Sequence, residues 1–130
     1  MMTEAQKATL RAQVTTVGRM LMGILFVFSG IGILMNGVAG TADYFSLLGV
    51  PLAGIMVWLV IAVKILAGGA LMLGYEVERA AIALIIFTLL ATWVAHMDLE
   101  DVNLFKNLAI VGGLLYVWAY GPGNGWKLRI

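Results

Sequence analysis

The residue best placed to do chemistry in this chain is Lys64, inside the run WLVIAVKILAGGALML (Trp58 to Leu73). It is the only ionisable side chain between Tyr44 and Tyr75. An ammonium in apolar surroundings holds an organic anion, or stabilises the charge that builds on a quinone carbonyl as it is reduced. Other polar groups recur at helical spacing. Thr88, Thr92 and His96 follow one another at four-residue steps. Lys106, Ala109, Gly113, Tyr116 and Tyr120 fall on one face, and so do Ser29, Gly32 and Asn36. Counted along their apolar runs, Ser29, Lys64, Thr88 and Tyr116 reach comparable depth. We expect these stripes to converge on one interior polar pocket that opens past His96 and Lys106. Ordinary structural roles stand beside this reading. Serine and threonine in such helices bond their own i−4 carbonyl, tyrosines anchor at interfaces, and Lys64 can sit uncharged or pair with another subunit. No residue is assigned a catalytic role.

Composition sets the class. The chain has 130 residues, 62% of them hydrophobic and only 12% charged, with mean hydropathy +1.01. A water-soluble domain carries about a quarter charged residues, so most of this surface must face lipid. The net charge of +1 gives no case for nucleic acid. Cysteine is absent and His96 is the single histidine. Thiol chemistry, thiolate metal sites and iron–sulfur clusters are therefore excluded within the chain, and a zinc or haem site is not expected. No covalently bound cofactor is expected; the candidates are a diffusible quinone and membrane lipids.

A helix needs roughly 20 mainly apolar residues to cross the hydrocarbon layer. Four runs qualify: Val17 to Met35, Pro51 to Gly74, Ala80 to Ala95 and Leu104 to Tyr120. The expected fold is thus an all-α, four-helix transmembrane bundle over residues 17–123. A short amphipathic, interfacial helix precedes it over 1–16, begun by a capping box at TEAQ (Thr3 to Gln6). A tail follows over 124–130. VAG at Val38 to Gly40 loosely resembles a signal cleavage site, but the apolar run before it is long, and we read it as a span. The segments NGVAGTAD (Asn36 to Asp43), Gly49 to Pro51, Gly74 to Glu78 and His96 to Asn103 carry the turn chemistry. Gly30, Gly32, Ala67, Gly68, Gly69, Gly112 and Gly113 are expected in helix seams, where small residues let backbones approach.

Lys64 lies 13 residues past Pro51, about 20 Å along a helix and near mid-bilayer. A lysine there costs roughly 3 kcal/mol or more, so it should face protein. Ala67 and Gly68, one turn on, place it toward a seam, with its side chain tilted toward its helix N-terminus. No acid of the chain lies at that depth, so a charged Lys64 takes its partner from outside the chain. Orientation follows the lysine and arginine distribution. Lys7, Arg11, Arg19, Arg79, Lys127 and Arg129 share one side, against Lys106 with Asp43, Asp98, Glu100 and Asp101 on the other. This places both termini in the cytoplasm.

Several segments taken in order carry a resemblance. They are GRMLMGILFVFSGIG, YFSLLGVP, KILAGGALMLGYEVERAAIAL, the histidine ending the third span, FKNLAIVGGLLYV and YGPG. Together they resemble the DoxX family of small bacterial membrane proteins over about Gly18 to Gly123. The resemblance implies a four-helix bundle and a redox-linked membrane role, since the family takes its name from a subunit of a thiosulfate:quinone oxidoreductase. It also implies that His96, Lys106 and Asn107 belong to a shared site. The chain departs from the family pattern at Ile33, where members often carry lysine, and at Lys64, where they often carry glutamate. Its C-terminus, GPGNGWKLRI, lacks the Ser–x–Asp that often follows GPG.

Three functions fit. The first is an accessory subunit of a larger membrane complex, respiratory or photosynthetic in kind, with other membrane subunits and lipids as partners and no redox centre of its own. The second is a quinone-facing oxidoreductase component, in which Lys64, Thr88, Thr92 and Tyr116 line the pocket and His96 or Lys106 stands at its mouth. The third is a small organic-anion transporter, ranked last because the internal repeat is faint. The accessory reading leads, because a catalyst would show more than one ionisable group inside the membrane.

Overall fold

The computed structural model of the chain describes residues 1–97 and 100–128. Asp98 and Arg129, both counted in the charge distribution above, lie outside the described residues. The protein is an all-helical membrane bundle: α1 (Glu4–Asn36), α2 (Val38–Leu47), α3 (Ala53–Leu73), α4 (Val77–Ala95) and α5 (Val102–Tyr120). Helices α1, α3, α4 and α5 are long and apolar enough to cross a membrane. They form a ring in which α1 packs on α3, α3 on α4 and α4 on α5, and α5 returns to touch α1.

The expected interfacial helix over 1–16 is not a separate element. No proline lies between Gln13 and Arg19, and the capped start runs through Gly18 without interruption into the first span. The capping box itself is present: Gln6 N–H donates to Thr3 Oγ1 at 3.1 Å, and Thr3 N–H donates to Gln6 Oε1 at 2.9 Å. The resulting α1 has 33 residues, about 50 Å at 1.5 Å per residue. The 21 residues of α3 and 19 of α5 span only about 30 Å.

The segment after α1 also differs from expectation. Gly37 does break the chain, with φ of 114°, but residues 38–47 form α2 rather than an open connection. Val38, Ala42 and Phe45 recur at helical spacing and are half-buried, and α2 packs on α3 and α1. One covered face is enough to hold ten residues helical.

The core sits toward the end of the bundle that holds both termini. Phe26, Leu71, Val77, Ala80, Ala81, Leu84 and Leu114 form one cluster drawn from all four long helices. The α3–α4 turn closes beside it. Gly74 takes the left-handed conformation (φ 71°), and Tyr75 N–H reaches back to the Ala70 carbonyl at 3.0 Å.

Arg19 organises this end. It is fully buried, 1% exposed. Its guanidinium donates to the Pro122 carbonyl and to the Trp126 carbonyl, both at 2.7 Å. Leu128 N–H donates to the Leu73 carbonyl at 2.6 Å. The segment after α5 is therefore a docked strap. It ties α1 to the α3–α4 turn.

Candidate functional site

The polar groups gather in the other half of the ring, away from the core. Lys64, on α3, is half-buried. Its Nζ donates to Ser29 Oγ of α1 at 2.6 Å and lies 5.4 Å from the centroid of the Phe87 ring of α4. Both contacts follow from the expected tilt. The side chain leans toward the N-terminus of α3, which brings its ammonium level with Ser29 and Phe87. Gly30 makes room for it, since a Cβ at Gly30 would stand 3.2 Å from the Lys64 Cβ. The hydroxyl and the ring offer an ammonium modest compensation, roughly 1–2 kcal/mol for a desolvated cation–π contact. Among the described residues, no carboxylate lies within ion-pair distance of Lys64.

The α4 stripe forms a second polar group. Thr88 and Thr92 are buried. Thr92 Oγ1 donates to the Thr88 carbonyl at 2.7 Å and accepts from Asn107 Nδ2 of α5 at 3.0 Å. Asn107 is thus brought to the α4–α5 seam. The Thr88 hydroxyl is buried with no hydrogen-bond partner among the described residues.

His96 closes α4 and faces the start of α5. Its Nδ1 stands 2.7 Å from Asp101 Oδ2, while Asp101 Oδ1 accepts from Asn103 N–H at 2.9 Å. Asp101 is therefore at once the N-cap of α5 and the partner of the histidine. The hydrogen bond from His96 holds the Asp101 carboxyl below the usual carboxylate range, and the Asn103 N–H acts in the same direction. A carboxylate lowered by folding stabilises the fold above its unfolded value of about 4. That contribution is lost as pH falls through the lowered folded value. Melting curves in detergent, taken from about pH 6 to about pH 2, should show wild type losing more stability than Asp101→Asn. Parallel losses would rule out this link.

Lys106 is exposed on α5, seven residues, about two turns, before the seam glycine Gly113. Tyr116 does not join the group. It is 70% exposed on the outer surface of α5, where its ring stacks on Tyr120 with centroids 6.2 Å apart and planes 13° apart. Of the small residues, Gly30, Gly68 and Gly113 lie in seams, and Ala67 packs on the core cluster. A Cβ at Gly69 or Gly112 would meet nothing within 4 Å, and one at Gly32 would meet only Asn36 of its own helix. Among the described residues, these three glycines meet no neighbouring helix.

Four residues escaped the reading of the sequence as parts of these contacts. Phe87 looked like any apolar residue of a span. Gly23, where the α3 backbone leaves no room for a Cβ, gave no signal that set it apart. Arg19 read only as a flanking charge. Asp101 carried a local signal, an Asp directly before an apolar run, which marks an N-cap.

The DoxX family profile matches residues 14–97. The chain is 40% identical over 111 residues to the inner membrane protein YqjF of Escherichia coli (strain K12), covering 82% of this chain and 83% of that protein. It is 25% identical over 116 residues to the inner membrane protein YphA of the same organism, covering 82% of each. No solved structure matches significantly. Four apolar helices, a family match over more than half the chain and a relative of nearly the same extent lead to one conclusion: this chain is a member of the DoxX family of membrane proteins.

Proposed function

We propose that the chain is an accessory integral-membrane subunit of a larger inner-membrane assembly, respiratory or photosynthetic in kind, without a redox centre of its own. The observation that carries this reading is the outer face of α1. Leu10, Val14, Val17, Leu21, Phe28 and Met35 are all exposed and fall on a seven-residue repeat. Such a row is the knob pattern that a neighbouring helix accepts. The opposite face of α1, through Gly23, Phe26 and Gly30, is already buried within the chain. Lipid covers apolar side chains only within about 30 Å of hydrocarbon, and α1 is about 20 Å longer than that by its residue count. The start of the row, at Leu10 and Val14, lies in this extension and suits a helix of a partner subunit. Lys7, Arg11, Arg19, Arg79 and Lys127 belong to the same end, which supports placing it, with both termini, in the cytoplasm.

The test is a C-terminal green fluorescent protein fusion purified in mild detergent, with mass spectrometry of what accompanies it. The fusion should fluoresce, as a cytoplasmic terminus allows. It should also carry membrane proteins in fixed proportion. Replacing Val14 and Val17 with Gln should lower their recovery about tenfold or more, as loss of central apolar anchors does, while helicity stays unchanged. A dark fusion would overturn the orientation, and a lone chain would overturn the accessory role.

A further inference from the structure

The ring of helices is not equally closed on all sides. α1 and α5 are the least closely packed neighbouring pair. They meet where Gly113 faces the tip of Met22. Ser29 lies seven residues beyond Met22, and Lys106 lies seven residues before Gly113. The helices run antiparallel, so each sits about 10 Å from that contact toward the same end of the bundle. The Lys64 ammonium is held at this level by Ser29. Two cations from two helices therefore share the looser side of the ring.

We propose that Lys64 and Lys106 together form a lateral anion site between α1 and α5, taking the phosphate or carboxylate group of an amphiphile or of a small soluble anion. An ammonium carries three donors, and Lys64 gives one of them to Ser29. Among the described residues neither lysine forms an ion pair. Asp101, the acid capping α5, is already engaged by His96 at 2.7 Å. Two ammonium groups on the same side of the ring repel each other. A ligand oxygen pair bearing negative charge reverses the sign of that interaction, and each charge-assisted bond is about twice as strong as a neutral one. A neutral carbonyl ligand would engage one ammonium and leave the repulsion in place. The inference is independent of the accessory role, because it concerns the α1–α5 side and not the outer row of α1.

Native mass spectrometry of the full chain in a neutral detergent tests it, with phosphatidylglycerol, phosphatidylcholine and inorganic phosphate as probes. Wild type should retain phosphatidylglycerol over phosphatidylcholine by about tenfold, the worth of one strong charge-assisted contact. Lys106→Gln and Lys64→Met should each remove most of that preference, and Lys7→Gln should leave it intact. Lys106 is exposed, so its variant decides the matter if Lys64→Met fails to insert. Competition by millimolar phosphate would assign the site to a soluble anion; retention of the lipid against phosphate would assign it to a headgroup. Equal retention of the two lipids without phosphate binding, or a preference undiminished in Lys106→Gln, overturns the site.

Discussion

Gly23→Val should separate α1 from α3 and cost the bundle about 3 kcal/mol or more, the upper range for overpacking a tight interior. The space is taken by atoms that cannot step aside. A Cβ at Gly23 would stand 2.5 Å from the carbonyl oxygen of Gly68 and 3.0 Å from the backbone nitrogen of Met72. Both belong to the α3 backbone, so relief requires moving a whole helix. Gly68 meets the same crossing from the other side, with the Gly23 carbonyl oxygen and the Phe26 Cβ each 3.0 Å from its own hypothetical Cβ. Pulling the helices apart there would also loosen the Ser29–Lys64 bond, about two turns along α1. Gly69→Val is the matched control. It is the next residue along α3, yet nothing lies within 4 Å of its Cβ position, and its stability should stay within about 1 kcal/mol of wild type. Helicity followed through a titration with sodium dodecyl sulfate separates the two. Equal midpoints for both variants would show that this crossing does not hold the bundle.

The contrast between Gly23 and Gly69 marks how far the sequence could be read. Four spans were legible because length and hydropathy decide them, and no partner is needed to see either. The direction of Lys64 was legible for a similar reason. Small residues one turn on select its face, and the tilt of Cα–Cβ bonds is a property of every helix. Which glycine meets a neighbour depends on where two helices cross, and one helix alone does not contain that information. Gly69 and Gly112 looked as suited to a seam as Gly68 and Gly113, and Gly23 was not among the residues expected there. Tyr116 shows the same limit in another form. It has the right depth, but at about 100° per residue it sits roughly 80° around α5 from Lys106, and that rotation carries it to the outer surface. Residues 38–47 looked like a connection because Gly37, Gly40 and the polar residues suggest turns. Their helix depends on a surface of α3 and α1 that only the folded bundle supplies. The candidate site was legible as a set of polar stripes. Its division into a Lys64 group, a Thr92–Asn107 pair and a His96–Asp101 pair was not, because each pairing joins different helices or their ends.

Arg19→Met should release the strap at the terminal end of the bundle and lower stability by about 3 kcal/mol, the worth of two hydrogen bonds to a charged donor together with the carbonyls they leave unpaired. Methionine keeps most of the buried aliphatic length, so the loss reports the guanidinium rather than a cavity. The Pro122 and Trp126 carbonyls would each lose a partner at 2.7 Å. Gly74 stands directly against the guanidinium, with its Cβ position 2.9 Å from one terminal nitrogen and 2.7 Å from the Lys127 Cβ. The arginine therefore fills the angle between the α3–α4 turn and the strap, and no other described side chain reaches both carbonyls. Arg19→Lys separates charge from geometry. A lysine keeps the charge but has one compact donor head instead of a planar fork, so it can satisfy only part of the pair and should recover about half of the loss. Limited trypsin digestion provides a local readout beside the melting temperature. Lys127 is half-buried in the docked strap, and Leu128 beside it is tied to Leu73, so cleavage after Lys127 should be slow in wild type and fast in Arg19→Met. If Arg19→Met melts with wild type and Lys127 stays protected, then the arginine does not hold the strap, and the contacts of Leu128 and Gly123 with the body of the bundle are sufficient without it.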